Sequence, residues 1–316
     1  MNIVFFGTPE FAVGTLSAIL QTEHRIAAVV TGPDKPAGRG QEMQYSDVKK
    51  FALEHQLPLL QPDKLKDPVF IEQLRSLNAD VFVVVAFRMM PEVVYTMPPK
   101  GTFNVHASLL PDYRGAAPIQ RALMNGETQS GVTTFFLNQV IDTGDIIDQV
   151  TVPIRPDENA GELYGELMVA GASLAVKTLN AIADGTCTTK PQSVEPGKTL
   201  HPAPKIFKED MHIEWNRPAA TIFNQIRGLS PYPGAFSYIK DTEGREYTLK
   251  CYQAEISEKK SNLPAGSITI ENSQLSIATA DQDITLKNLQ LQGKKRMTTK
   301  DFLAGFHQEK YILNLF

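Results

Sequence analysis

Cysteine is scarce in this chain: 316 residues contain only Cys187 and Cys251. The two are far apart and form no C-x-x-C or metal-ligand spacing, so they point to two idle thiols in a reducing compartment rather than to a disulfide. Long apolar runs are also missing. The longest, Val81 to Phe87, falls far short of the roughly 20 residues that a membrane-spanning helix needs. Met1 to Phe6 carries no basic region and runs straight into Gly7-Thr8-Pro9, which reads as a first strand and not as a signal peptide. A cytoplasmic protein is expected. The dinucleotide fingerprint is absent, since the turn after the first strand holds one glycine, Gly7, and this argues against a nicotinamide-dependent oxidoreductase. No serine or cysteine sits in a nucleophile elbow, so no covalent acyl-enzyme is expected. Internal repeats and low-complexity tracts are lacking as well.

What is present is ordinary globular material, 42% apolar and 21% charged, in a length that suits two domains. The net charge of −4 does not by itself suggest a nucleic-acid partner. It is unevenly divided, −6 over residues 1–204 and +2 over residues 205–316, and the basic C-terminal part is compatible with RNA.

The first half alternates β-rich runs with helical stretches. Strands are expected at Asn2–Phe6, Ile26–Thr31, Leu57–Leu60, Val81–Ala86, Phe103–His106, Val132–Leu137 and Ile146–Val152. Helices are expected after Thr8, which reads as an N-cap, and at Val48–His55, Asp67–Asn78, Ala116–Met124 and Gly161–Ala183. The unbroken β-branched run at Val81 is typical of a strand buried on both faces. Such alternation implies a mostly parallel sheet covered by helices, with any site at the carboxyl ends of its strands. Thr186–Pro204, rich in Thr, Pro, Gly and Lys, reads as a linker. Beyond it lie one helix, Pro218–Ile226, and short alternating runs at Phe236–Ile239, Glu246–Ala254, Gly266–Ile270, Gln274–Ala278 and Ile284–Gln292, the pattern of a small barrel or open sheet.

The strand end Phe103-Asn104-Val105-His106 is the most informative segment. Asn104 and His106, two residues apart on a strand, share a face. An imidazole moves protons near neutral pH, an amide NH₂ can donate to an oxyanion, and a carboxylate such as Asp142 can orient the ring. Together these parts suit attack of an amine on an acyl carbon. By spacing alone, His106 is as readily a hydrogen-bonded structural residue and Asp142 a turn former.

Longer motifs separate these readings. His106-Ala-Ser-Leu-Leu-Pro111, Arg114-Gly-Ala-Ala-Pro-Ile119 and Asp142-Thr-Gly-Asp145 resemble the methionyl-tRNA formyltransferases. So do Phe6–Ala12, Pro33–Gly40, Ala203–Ile206, Ile226–Pro231 and Gln292–Lys295, so that the resemblance covers almost the whole chain. It implies a Rossmann-like, mostly parallel sheet of the formyltransferase fold followed by a small OB-like β-barrel. The implied division is a catalytic domain at 1–185, a linker at 186–204 and a tRNA-binding domain at 205–316. The implied reaction moves the formyl group of 10-formyltetrahydrofolate to the amine of methionyl initiator tRNA, in a monomer and without a metal.

By that resemblance His106 handles the amine proton, Asn104 stabilises the tetrahedral oxyanion, and Asp142 positions and charges His106. Folate contacts fall on Ser108, Leu109, Leu110 and Pro111, with Ile141 in the loop that would lie against the pterin; Phe87 and Met89 either line the folate pocket or belong to the core, and Arg88 is a candidate for the glutamate tail. The tRNA contacts fall on Arg39, Lys35, Lys205, Lys208, Arg227, Lys294, Lys295 and Arg296. Two departures stand out. Gln41-Glu42 replaces the basic pair usual after Arg39-Gly40, and Ala86-Phe87-Arg88-Met89-Met90-Pro91 is shorter than the usual segment. Formylation of glycinamide ribonucleotide or an amino sugar is the alternative, against which stand the matching C-terminal motifs. A catalytically dead tRNA-binding protein is a further rival, against which stand the intact Asn104, His106 and Asp142.

Overall fold

The computed structural model describes residues 1–37, 42–194, 197 and 199–316. The chain folds as two compact units. Unit 1 comprises Met1–Pro118, Gln129–Pro153 and Tyr164–Ala203; unit 2 comprises Ile119–Thr128, Ile154–Leu163 and Pro204–Phe316. The stretch read as a linker belongs to unit 1 as far as Ala203. Backbone hydrogen bonds explain this: Lys190 and Ile146 exchange N–H···O bonds of 2.8 and 2.9 Å, and Ala203 N–H reaches Arg114 O at 2.8 Å.

Among the described residues, nine strands precede residue 154: β1 (Asn2–Gly7), β2 (Arg25–Val30), β3 (Lys35–Ala37), β4 (Glu42–Gln44), β5 (Leu59–Leu60), β6 (Val81–Val85), β7 (Thr102–His106), β8 (Gln129–Phe136) and β9 (Ile146–Pro153). Seven of them form one sheet in the order β5-β2-β1-β6-β7-β8-β9. Pairing is parallel from β5 through β7 and antiparallel for β7–β8 and β8–β9. The helices are α1 (Glu10–Leu20), α2 (Asp47–Glu54), α3 (Pro68–Ser76), α4 (Glu92–Tyr95), α5 (Pro118–Met124) and α6 (Ala160–Ala183).

Successive side chains of a strand point to opposite faces, and in β1 and β6 every residue from Ile3 to Phe6 and from Val81 to Val85 is buried. Both faces are thus covered, as the unbroken β-branched run requires. On one face Val4, Phe6, Phe82 and Val84 pack with Phe70, Leu74 and Val94. Helix α6 is long and apolar enough to cross a membrane, but Leu167, Leu174, Leu179 and Ile182 are buried within unit 1, the pattern of a core helix. Thr8 does not cap α1. The N-cap position is Pro9 and makes no side-chain bond. The loop expected after β2 contains the β3–β4 hairpin, with Lys35 opposite Gln44 and Ala37 opposite Glu42; its Gly and Pro content hid the pairing.

Unit 2 adds α7 (Lys208–Met211), α8 (Ala219–Leu229) and α9 (Thr299–Ala304), with β10 (Ala235–Asp241), β11 (Glu246–Lys260), β12 (Ile268–Glu271), β13 (Gln274–Ile277), β14 (Gln282–Leu291), β15 (Met297–Thr298) and β16 (Tyr311–Leu315). The order is β12-β13-β14-β11-β10-β16, with β15 beside β14. A Ser267–Asn314 bridge brings the two edges together, which makes the sheet a nearly closed OB-like barrel. Its core joins Ile222, Ile226 and Leu229 of α8 to Leu249, Cys251, Leu286 and Leu289. That inward face carries α8 past the expected end at Ile226. Trp215 donates from Nε1 to Ser237 Oγ at 2.9 Å inside the barrel, where an unpaired indole N–H would be costly.

Candidate active site

Strand β7 ends at His106, at the carboxyl end of the parallel strands. Opposite it, His106 pairs Thr133 and Asn104 pairs Phe135 of β8. Asn104 is partly exposed, and its amide makes no hydrogen bond among the described residues. His106 is buried at 7% exposure, with its ring edge against Phe135, centroids 6.5 Å apart.

The imidazole is oriented by a backbone group that carries no sequence signal. His106 Nε2 lies 2.9 Å from Tyr113 O. A carbonyl can only accept, so Nε2 bears the hydrogen and the neutral ring leaves Nδ1 as its basic nitrogen. Nδ1 faces Asp142 Oδ2 at 3.9 Å, within ion-pair range and too long for a hydrogen bond. The same Oδ2 accepts from Gly115 N–H at 2.9 Å. Tyr113 and Asp142 both adopt left-handed backbone, with φ of 58° and 54°, a conformation that Asp tolerates better than most residues.

Close backbone approaches hold these loops. A Cβ on Gly115 would come 2.4 Å from Ala203 O, and one on Gly144 would come 1.6 Å from Phe136 O. Gly144→Ala is therefore expected to push the Asp142 loop off the sheet. Overpacking of this kind costs about 1–3 kcal/mol, at roughly 2–4 °C of Tm per kcal/mol in a chain of this size class. Thermal denaturation measures it, and an unchanged Tm would mean that the loop yields freely.

The segment after His106 is locked to β8. Thr133 Oγ1 accepts from Leu110 N–H at 3.1 Å and donates to Ser108 O at 2.7 Å, and Gln149 Nε2 donates to Leu110 O at 2.9 Å. Ser108 Oγ donates to Asp112 O at 2.7 Å, and Leu110 packs with Phe135 and Ile146. The side chains of Ser108 and Leu110 thus point inward, and that of Leu109 lies against Gly131 of β8. Phe87 packs edge-on to Phe6, 5.5 Å between centroids, whereas Met89 and Ile141 are 70% and 60% exposed. Met89 lines an open cavity of about 470 Å³ with Leu65, Met90 and Pro91, and none of Asn104, His106 or Asp142 contributes to its walls. Arg88 borders the same cavity and donates to the carbonyls of Pro62 and Asp63.

Among the basic candidates, Lys205, Lys208, Lys294 and Lys295 are exposed. Arg296 lies 4.3 Å above the Tyr252 ring and donates to Asn288 Oδ1 at 3.0 Å. Arg227 is 8% exposed and donates to Asn224 Oδ1 at 2.8 Å and to the carbonyls of Arg155 and Glu158 at 3.3 and 3.4 Å. Its guanidinium braces a loop in unit 2, and burial lowers its pKa from the ordinary value. Arg39 and the side chain of Lys35 lie outside the described residues. At the base of the β3–β4 hairpin, Asp34 is held by Lys49 at 2.5 Å and by Gln61 at 2.9 Å, and the Lys49 hydrogen bond, followed by that from Gln61, keeps its carboxyl below the usual range.

Comparison with known proteins identifies the family. Residues 1–179 match the formyl transferase family and residues 205–307 the formyl transferase C-terminal domain. A methionyl-tRNA formyltransferase from Parabacteroides distasonis is 49% identical over 312 residues, covering 98% of this chain and 96% of its own. One from Bacteroides fragilis is 48% identical over 309 residues, covering 97% and 95%. Among solved structures, an N-formyltransferase from Helicobacter canadensis, in complex with folinic acid and dTDP-3-aminofucose, superposes with a TM-score of 0.66 at 21% identity over 90% of this chain and 98% of its own. HypX from Aquifex aeolicus, in complex with tetrahydrofolic acid, superposes with a TM-score of 0.62 at 18% identity over 95% of this chain and 46% of its own. At such identities the two solved structures establish the shared fold.

Proposed function

This chain belongs to the methionyl-tRNA formyltransferase family, and we propose that its reaction, formyl transfer to the amine of methionyl-tRNA, runs at the cluster of Asn104, His106 and Asp142. The single observation that carries this reading is the His106 geometry. Nε2 is fixed on the Tyr113 carbonyl while Nδ1 faces the Asp142 carboxylate at 3.9 Å.

The donor is 10-formyltetrahydrofolate, held along Leu109, Pro111 and the Asp142 loop, and the acceptor is the amine of the initiator tRNA's methionyl group. The amine nitrogen forms a bond to the formyl carbon, and the carbonyl oxygen becomes an oxyanion that accepts a hydrogen bond from the free Asn104 amide. His106 takes the amine proton at Nδ1, and the positive charge that develops there faces Asp142. Collapse of the intermediate breaks the bond between the formyl carbon and N10, and the proton held at His106 Nδ1 passes to N10, which returns the imidazole to its neutral form. No enzyme nucleophile takes part. Residues 1–185 supply this chemistry. Residues 205–316 grip the tRNA through Lys205, Lys208 and the Lys294-Lys295-Arg296 turn, with Arg39 and Lys35 addressing the acceptor end. We place the enzyme in the cytoplasm, as a monomer.

Formylation of initiator and elongator methionyl-tRNA, glycinamide ribonucleotide and an amino sugar, measured side by side with a 10-formyltetrahydrofolate donor, tests this reading. Formylation of the initiator alone supports it, and transfer to a sugar or nucleotide amine in preference would overturn it. Lys294→Ala with Lys295→Ala is expected to flatten the salt dependence of tRNA binding by about 1–2 units of log–log slope, the scale of two lost phosphate contacts. Filter binding across a salt series measures the slope, and an unchanged value would place the turn away from the RNA.

A further inference from the structure

Gln192 lies in the segment that reads as linker, yet its side chain makes four hydrogen bonds to two loops of the catalytic centre. Oε1 accepts from Arg114 Nε at 3.0 Å and from Arg114 Nη2 at 2.6 Å. Nε2 donates to Asp142 O at 2.9 Å and to Gly144 O at 2.8 Å. The match is chemical as well as geometric. A carboxamide offers two donors beside an acceptor with two lone pairs, whereas Glu has no donor at neutral pH and Lys or Arg no acceptor.

These bonds close a ring around the centre. Asp142 is tied to Gln192 through its carbonyl and to Gly115 through its carboxylate, whose Oδ2 accepts from Gly115 N–H at 2.9 Å. Gly115 follows Arg114, and the Arg114 guanidinium returns to Gln192. The Asp142 backbone is left-handed, at φ 54°, a conformation that persists where its surroundings hold it. Gln192 holds the carbonyl side of that residue and Gly115 the carboxylate side, and the carboxylate stands 3.9 Å from His106 Nδ1.

We propose that Gln192 is a positioning residue of the catalytic centre: it ties the Asp142 loop to the Arg114–Gly115 loop and thereby sets where the Asp142 carboxylate stands before His106. This rests on the roles given to His106 and Asp142 above. Steady-state formylation of methionyl-tRNA by the full chain tests it, with Gln192→Glu, Gln192→Ala, Asp142→Asn, both double variants with Asp142→Asn, and His106→Ala. Gln192→Glu keeps the length and the acceptor but loses both donors. A displacement of about 1 Å at a catalytic group costs up to ~100-fold, and each Gln192 variant is expected to lower kcat by roughly 10-fold or more, with KM for methionyl-tRNA within about twofold. In the Asp142→Asn background the same change is expected to add less than about twofold, because residues acting as one unit are not additive.

A side chain that only supported the fold would impose its full factor in both backgrounds. A Gln192→Glu enzyme within twofold of the parent kcat, or a full factor retained on Asp142→Asn, would overturn the proposal. If Gln192→Ala does not fold, Gln192→Glu and its double variant give the same readout. His106→Ala separates the two levels. An active His106→Ala enzyme would remove the catalytic reading itself, whereas an inactive one beside a normal Gln192→Glu enzyme would remove only the role of Gln192.

Discussion

His106→Ala is expected to lower formyl transfer at least ~100-fold, the scale on which a positioned general base contributes. The loss would arise in the chemical step. The side chain is buried at the end of β7 and exposes too little surface to bind the body of a tRNA, so KM for methionyl-tRNA should move little. Truncation also removes the His106 hydrogen bond to Tyr113 O, at a cost of about 0.5–1.5 kcal/mol in stability. Thermal denaturation alongside kinetics separates this stability loss from the catalytic one. Turnover within a few-fold of the parent, with the variant folded, would take His106 out of the mechanism.

Asn104→Ala is expected to cost about 10²–10³-fold in kcat, as loss of a single oxyanion donor does elsewhere. It is the cleaner substitution of the two. The Asn104 amide makes no hydrogen bond among the described residues, so its removal orphans no partner and the fold should keep its Tm. A fall in kcat with unchanged Tm and unchanged KM for both substrates is the expected result. A fall in Tm matching the loss of activity would instead mark Asn104 as structural, and an unchanged kcat would leave the oxyanion to another donor.

Periodicity and composition made much of the fold legible. Val81–Val85 announced a strand buried on both faces because every position is β-branched or aromatic, and the strands beginning at Asn2, Arg25 and Thr102 were legible as apolar-rich runs alternating with helical stretches. Elements stabilised by neighbours left no such mark. Strand β16 is a five-residue run that exists because it pairs with β10. The β3–β4 hairpin forms from residues whose Gly and Pro content reads as loop. In the site, Asn104, His106 and Asp142 were legible as motif residues. The group that orients the ring, Tyr113 O, was not, since any residue supplies a carbonyl. The partners of Arg227 were hidden for a related reason: sequence does not show that its guanidinium meets three oxygens of its own unit. The Thr186–Pro204 tract lacks periodicity because its partners are backbone and polar groups of distant loops, and distant pairing leaves no period.

The most direct measurement is the single-turnover rate of formyl transfer from 10-formyltetrahydrofolate to methionyl initiator tRNA, in the parent and in a variant carrying Asn104→Ala, His106→Ala and Asp142→Asn together, with the affinity of each substrate measured in parallel. Direct transfer at this cluster predicts a chemical step reduced by about as much as in the worst single variant, since the three act as a unit, with both substrates still bound. A chemical step near the parent rate in the folded triple variant would contradict it and place the reaction elsewhere in the chain.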